Sequence, residues 1–350
     1  MSKARALAAI QLQPTDRIPS QEWIDHPGFV RELTGIDPYR DPAGAILETV
    51  RKLDLDWIWD LPREAVAFAE GEASKVTEDG VTMTRWGFSG SIREEESLFA
   101  DADDVLTFSP LEEARTHARG VRILTEAYRL NRYTGPLRAQ EEVGDSALVT
   151  GLYYTTLFQS CIMSFGWENF LEAAASEPEA FGRILDEFTE ISVENIRQWV
   201  QSPCPVCFFH DDLAISSGLV FPPAWYRREI FPRYEQIFEP ARQAGKRIHF
   251  VSDGRYEELM PDLHALGVRG FMIDPDNDLQ ATLARFGHDC AVLGNISTHI
   301  LTSGSVDDVR AEVRRCADLG KHWPGYFFRA AGDLPHNIPL ANIRAYFEAK

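Results

Sequence analysis

Hydrophobic and polar positions follow their most regular rhythm in the second half of the chain. Short β-branched and aromatic runs recur at 205–211 (PVCFFHD), 247–253 (RIHFVSD), 268–274 (VRGFMID), 290–296 (CAVLGNI) and 325–331 (GYFFRAA). Amphipathic stretches at 223–244, 255–266, 276–287 and 305–319 separate them. Strand followed by helix, repeated, predicts parallel crossovers. Helix starts carry capping signals: Ser305 with Asp308, Ser109–Pro110 with Glu112, and Asp41–Pro42. A long helix is predicted over 178–200, ending before Pro203.

The first half is less periodic. Strands are predicted at 17–23, 55–61 and 132–139, with a polar β-meander over 75–93. Together the halves supply about eight strands, the number of a closed (β/α)8 TIM barrel of the α/β class. The expected organisation is one barrel domain over 1–350, with an N-terminal elaboration and the meander in roughly 1–100. A doubly wound sheet would be expected to carry a Gly-rich phosphate turn after its first strand, and the sequence has none there.

In a barrel of this kind the chemistry sits at the C-terminal ends of the strands. Those ends hold Glu22 and Trp23, then His210, Asp211 and Asp212, then Asp253, Asp274, Asn295, and Asp333 with His336. Such an acid-rich rim suits general acid–base work or a metal. A single Asp after a strand is also a common helix cap. In RIHFVSD, alternation places His249, Val251 and Asp253 on one strand face. His249 is then either a core histidine or a group that orients Asp253. Both faces of CFFHDD are apolar enough that the orientation of His210 stays open. Arg329 shares a strand face with Asp333, as an ion pair or an anion hook. Cys204-x-x-Cys207 falls at a strand start, where the two side chains point apart, and reads as packing.

Composition narrows the partners. The 350 residues are 44% hydrophobic and 25% charged, ordinary for a soluble globular protein. The formal net charge of −19 works against nucleic acid and anionic membranes as partners. The absence of a signal-peptide pattern and of a long apolar run makes the cytoplasm the expected compartment. Five scattered cysteines read as reduced thiols.

Several segments, in order, resemble the uroporphyrinogen decarboxylase superfamily, which includes corrinoid-linked methyltransferases. They are PTDRIP (14–19), HDDLAISSGLVFPPAWYRREIFPRY (210–234), GKRIHFVSDG (245–254), LGNIST (293–298), GSVDDV (304–309) and AAGDLPHNIPLANIRAYFEA (330–349). The resemblance implies a (β/α)8 barrel. In the methyltransferase branch, a His-x-Cys pair at the central strand end and a Cys near the last strand hold zinc. The corresponding positions here are Val251, Asp253 and a site near Asp333. Two carboxylates are a poor substitute for soft ligands, so zinc is not expected in its family form. A divalent metal would rest on Asp253, Asp333 and His249. The decarboxylase branch opens with an Arg-rich segment, whereas RIPSQEWIDHPGF carries acids.

The resemblance implies a methyltransferase that moves a methyl group between a small O-, N- or S-methyl compound and a corrinoid protein. Asp253 and Asp333 are the expected central pair, with Asp212 and Glu22 as further catalytic acids. Trp23, Trp59, His210, Asp211, Asp274, Asn295, Arg329 and His336 are the expected substrate contacts. The alternatives are a decarboxylase of a small or tetrapyrrole-type substrate, or a non-enzymatic tetrapyrrole binder. A monomer or homodimer is expected.

Overall fold

The computed structural model describes residues 2–65, 74–76, 82–85, 87–88, 91–94 and 97–350. The parallel strands are β1 (Trp57–Ile58), β2 (Leu148–Val149), β3 (Val206–His210), β4 (Arg247–Val251), β5 (Val268–Met272), β6 (Ala291–Leu293) and β7 (Tyr326–Phe327). The helices that matter for the site are α1 (Phe158–Phe165), α2 (Pro178–Trp199), α3 (Phe231–Gln243) and α4 (Leu340–Ala349). The chain forms two compact units: 1–96, 138–150 and 272–350 make the first, and 97–137 with 151–271 the second.

In the first unit β2 pairs with β1 in parallel, Trp57 opposite Leu148. The segment 20–24 lies between β1 and β7, through bridges Gln21–Trp57 and Ser20–Phe328. β7 then pairs with β6, Val292 opposite Tyr326. Ile273 N–H donates to Leu293 O at 2.9 Å, beside β6. In the second unit Tyr153 bridges Phe209. β3 pairs with β4 over five positions, from Val206–Arg247 to His210–Val251, and β5 follows β4. Among the described residues the parallel strands and bridged segments are therefore 20–24, 57–58, 148–149, 153, 206–210, 247–251, 268–272, 291–293 and 326–330.

All five residues of β3 are buried, as expected of a parallel strand covered on both faces. Phe209 packs on Phe238 of α3 with ring centroids 4.7 Å apart, and Phe250 of β4 faces Tyr234 of the same helix at 5.7 Å. The helix covers that face, so alternation turns Phe208, His210, His249 and Val251 to the opposite one. Phe208 and His249 meet there at 5.4 Å.

The predicted caps form. Ser305 and Asp308 make a reciprocal capping box, Ser109 accepts from Glu112 N–H, and Asp41 accepts from Gly44 N–H. One strand is corrected. Residues 132–139 lie within a helix, Glu126–Val143, and the strand that follows it is β2. The meander is present as antiparallel strands at 74–76, 82–85 and 91–94, and the rest of that prediction lies outside the described residues. Among the described residues no helix is long and apolar enough to cross a membrane.

Candidate functional site

The end of β3 splits three consecutive polar residues among different tasks. His210 is buried on the face shared with Phe208. Its ring stacks on Tyr154, with centroids 4.0 Å apart and planes 10° from parallel. Its Nε2 lies 3.3 Å from Asp212 Oδ1. The same Asp212 oxygen accepts the Asp253 backbone N–H at 3.1 Å, which ties the end of β3 to the end of β4. Ligand atoms of His210, Asp212 and Asp253 all lie within 4.8 Å of one another. His210 is buried, Asp212 half-buried and Asp253 exposed, so the group runs from the interior outward. Burial pushes the Asp212 carboxyl up to about 6.

The loops hold this arrangement by close backbone approach. Gly254 has φ +73°, and a Cβ there would stand 2.4 Å from the Ile215 carbonyl carbon. Only glycine fits that position, which explains the Asp253–Gly254 pair. Ser252 Oγ accepts from Leu213 N–H at 3.0 Å and donates to Asp253 O at 2.9 Å. Tyr226 OH donates to Leu213 O at 2.5 Å.

Asp211 points the other way. Its carboxylate accepts backbone N–H groups of Leu157, Phe158 and Gln159 at 3.0, 2.8 and 2.5 Å, and Tyr234 OH at 2.6 Å. These amides are the open N-terminus of α1, whose preceding residue, Leu157, supplies no side-chain cap. Asp211 was expected to contact substrate; its acceptor positions are instead filled by the protein. Burial raises this carboxyl to about 7 against the pull of Tyr234 and the amides.

His249 also departs from its expected metal role. A Cβ on Gly270 would lie 2.4 Å from its Cγ, so the ring fills the space left by that glycine. Burial depresses it to about 3, with the nearby Arg247 charge adding to the shift, and it is neutral at ordinary pH. The imidazole that joins Asp253 is His210. Asn295 is corrected as well. Its amide nitrogen donates to Asn277 O at 2.9 Å and its oxygen accepts from Arg315 Nη2 at 3.0 Å, so it fixes its own loop.

The remaining candidates lie in the first unit. Glu22 is fully buried, with Tyr346 OH and Lys350 Nζ donating to its Oε1, the latter at 2.5 Å. Arg329 Nη2 is 3.6 Å from Asp333 Oδ1, and its Cζ lies 5.8 Å from the Trp59 ring. Trp23 is half-buried and its carbonyl accepts Leu334 N–H at 2.9 Å. Asp274 and His336 are half-buried at their strand ends. The sequence reading missed Tyr154 and Tyr234, which position His210 and Asp211. Nothing in GLYYTT marks Tyr154 in advance.

A family profile for uroporphyrinogen decarboxylase (URO-D) matches residues 137–350. The chain belongs to the uroporphyrinogen decarboxylase family. Its structure is similar to that of a methyltransferase from Methanosarcina mazei, with TM-score 0.64 and 14% identity, covering 99% of this chain and 97% of that one. The fold of this URO-D family member is thus the (β/α)8 barrel. A vitamin-B12 independent methionine synthase structure from Listeria monocytogenes aligns at TM-score 0.33 and 13% identity, over 68% of this chain and 90% of that one, which is too low to bear on the fold. No curated protein matches by sequence.

The donor set of His210, Asp212 and Asp253 fits a divalent ion of intermediate hardness: one imidazole and two carboxylates, without a thiolate. It does not reproduce the sulfur-containing zinc site implied by the methyltransferase branch.

Proposed function

We propose that this URO-D family member is a methyltransferase that moves a methyl group from a small O-, N- or S-methyl compound to a corrinoid protein. The observation that carries the reading is the convergence of His210, Asp212 and Asp253 at two adjacent strand ends. The family and the fold likeness to a methyltransferase support it.

The reaction breaks the bond between the methyl carbon and its heteroatom, while the corrinoid acceptor, in its cobalt(I) state, would supply the electron pair for the new bond to that carbon. The pair of the broken bond stays on the heteroatom, which then needs a proton or a positive charge beside it. His210 and Asp212, 3.3 Å apart, can hold a proton between ring nitrogen and carboxylate and pass it to the leaving heteroatom. Tyr154 keeps the imidazole plane fixed, so the proton is presented in one direction. A divalent ion held by His210, Asp212 and Asp253 would supply Lewis-acid polarisation of that heteroatom.

The test is metal content in protein purified without a chelating tag, beside Asp253→Ala, together with methyl transfer to cob(I)alamin. Methanol, methylamine and methanethiol serve as donors, and transfer is followed by the change in corrinoid absorption. Transfer lost in Asp253→Ala supports the reading, and stoichiometric metal lost with it adds the ion to the site. Transfer that is undiminished in Asp253→Ala overturns the site assignment, and absence of transfer with every donor overturns the methyl chemistry.

A further inference from the structure

Arg329 is buried, yet its charge is poorly served. Nη1 stands 3.9 Å from Glu22 Oε2 and Nη2 stands 3.6 Å from Asp333 Oδ1, both beyond hydrogen-bond length. Nε and Nη1 have no hydrogen-bond partner among the described residues. The reason lies with Glu22, which is held by Lys350 and Tyr346 and so is drawn away from the guanidinium.

A second buried polar group shares this face. Gln21 pairs with Trp57, and Ser20 with Phe328, so alternation places Gln21, Trp57, Phe327 and Arg329 together. The ring contacts agree: Trp57 meets Phe327 at 5.5 Å and Trp59 at 6.2 Å. Neither the nitrogen nor the oxygen of the Gln21 amide has a partner among the described residues, although the residue is fully buried. Polar groups buried in this way are costly unless something completes them.

We propose that Arg329 is a binding group for a small monocarboxylate, which takes the place of Asp333. The Asp333 side chain is 34% exposed, so its side of the guanidinium is the one open toward solvent. The Nε–Nη2 edge of a guanidinium matches the two oxygens of a carboxylate. That exchange replaces a long contact with two charge-assisted hydrogen bonds and leaves the net charge of the cluster unchanged. Glu22, 3.9 Å from Nη1, disfavours a dianion. The Gln21 amide adds hydrogen-bonding capacity on the same face, and Trp59 supplies an apolar wall. This inference does not depend on methyl transfer.

Acetate titration by calorimetry tests it, with sulfate as the dianion control. Wild-type protein binds acetate saturably and sulfate not at all. Asp333→Ala removes the internal competitor and tightens acetate binding roughly 3–10-fold. Arg329→Lys keeps the charge beside Glu22 but loses the fork, and weakens binding by about tenfold or more. Gln21→Leu stays folded and weakens binding severalfold. A purely structural Arg329–Asp333 pair predicts no saturable acetate binding in either wild type or Asp333→Ala, and that result overturns the proposal. So does an acetate affinity that Asp333→Ala lowers or leaves unchanged. If Arg329→Lys does not fold, the Asp333→Ala measurement decides.

Discussion

The two polar groups at the strand ends are built from similar acids and differ in how those acids are balanced. Around His210, Asp212 and Asp253, the three side chains bring two carboxylates and an imidazole, with no permanent positive charge among them. Around Glu22 and Asp333, Arg329 and Lys350 supply two cationic side chains for two carboxylates. The first group therefore needs a proton or a metal ion to be electrically at rest. The second is already neutral and can only exchange one anion for another. Carboxylate content alone, which is what the sequence displays, does not separate these two cases. The cation within reach does.

The strongest perturbation removes the anchor beside the first group. Asp211→Ala leaves three helix-end amides and a tyrosine hydroxyl without their acceptor. Urea unfolding is expected to show a loss of roughly 3–5 kcal/mol. A loss under about 1 kcal/mol would mean that water replaces the carboxylate. His210→Gln, which keeps most of the buried volume, should separate function from folding: methyl transfer falls at least ~100-fold while stability changes by about 1–2 kcal/mol. Equal losses in both would place His210 with the scaffold.

In the second group, Lys350→Met frees Glu22 to turn on Arg329. A stability loss of about 2 kcal/mol is expected, most of it recovered in the double variant with Glu22→Gln. Additive losses would show that the two residues are not coupled. The smallest effect at neutral pH belongs to His249. Its pKa falls from 6.5 unfolded to about 3 folded, so the unfolded chain takes up the proton first. Stability is full above pH ~6.5 and declines as pH falls toward 3. His249→Phe should leave stability at pH 7 nearly unchanged and flatten that decline. An unaltered acid slope, measured by denaturant unfolding at several pH values, would mean that the ring does not stay neutral in the folded protein.

The strands of the second half were legible because β3 and β4 are short aromatic and β-branched runs, buried almost throughout as parallel strands covered on both faces are. The same property hid the orientation of His210. Both faces of CFFHDD are apolar, and the decision is made by Phe238, 29 residues further along, packing on Phe209. Residues 132–139, read as a strand, lie instead within a helix that accommodates Pro136 in its interior. Asp211 and Asp212 are chemically identical in the sequence. Only the helix N-terminus on one side and His210 on the other tell them apart. Asn295 looked free because its partners, Asn277 and Arg315, are brought to it by the fold.

Asp211 has a further consequence for anyone who maps this protein by mutation. It adjoins His210 and Asp212 in the chain and belongs to the same three-letter run, but its carboxylate is taken up by helix-end amides and the Tyr234 hydroxyl. A deep scan scored by activity in cells would rank it with, or above, its neighbours, because a misfolded chain and a dead enzyme give the same count. The scan would draw a false triad. Scoring the same library for abundance as well would separate Asp211, whose loss acts through folding, from residues whose loss lowers activity at unchanged abundance.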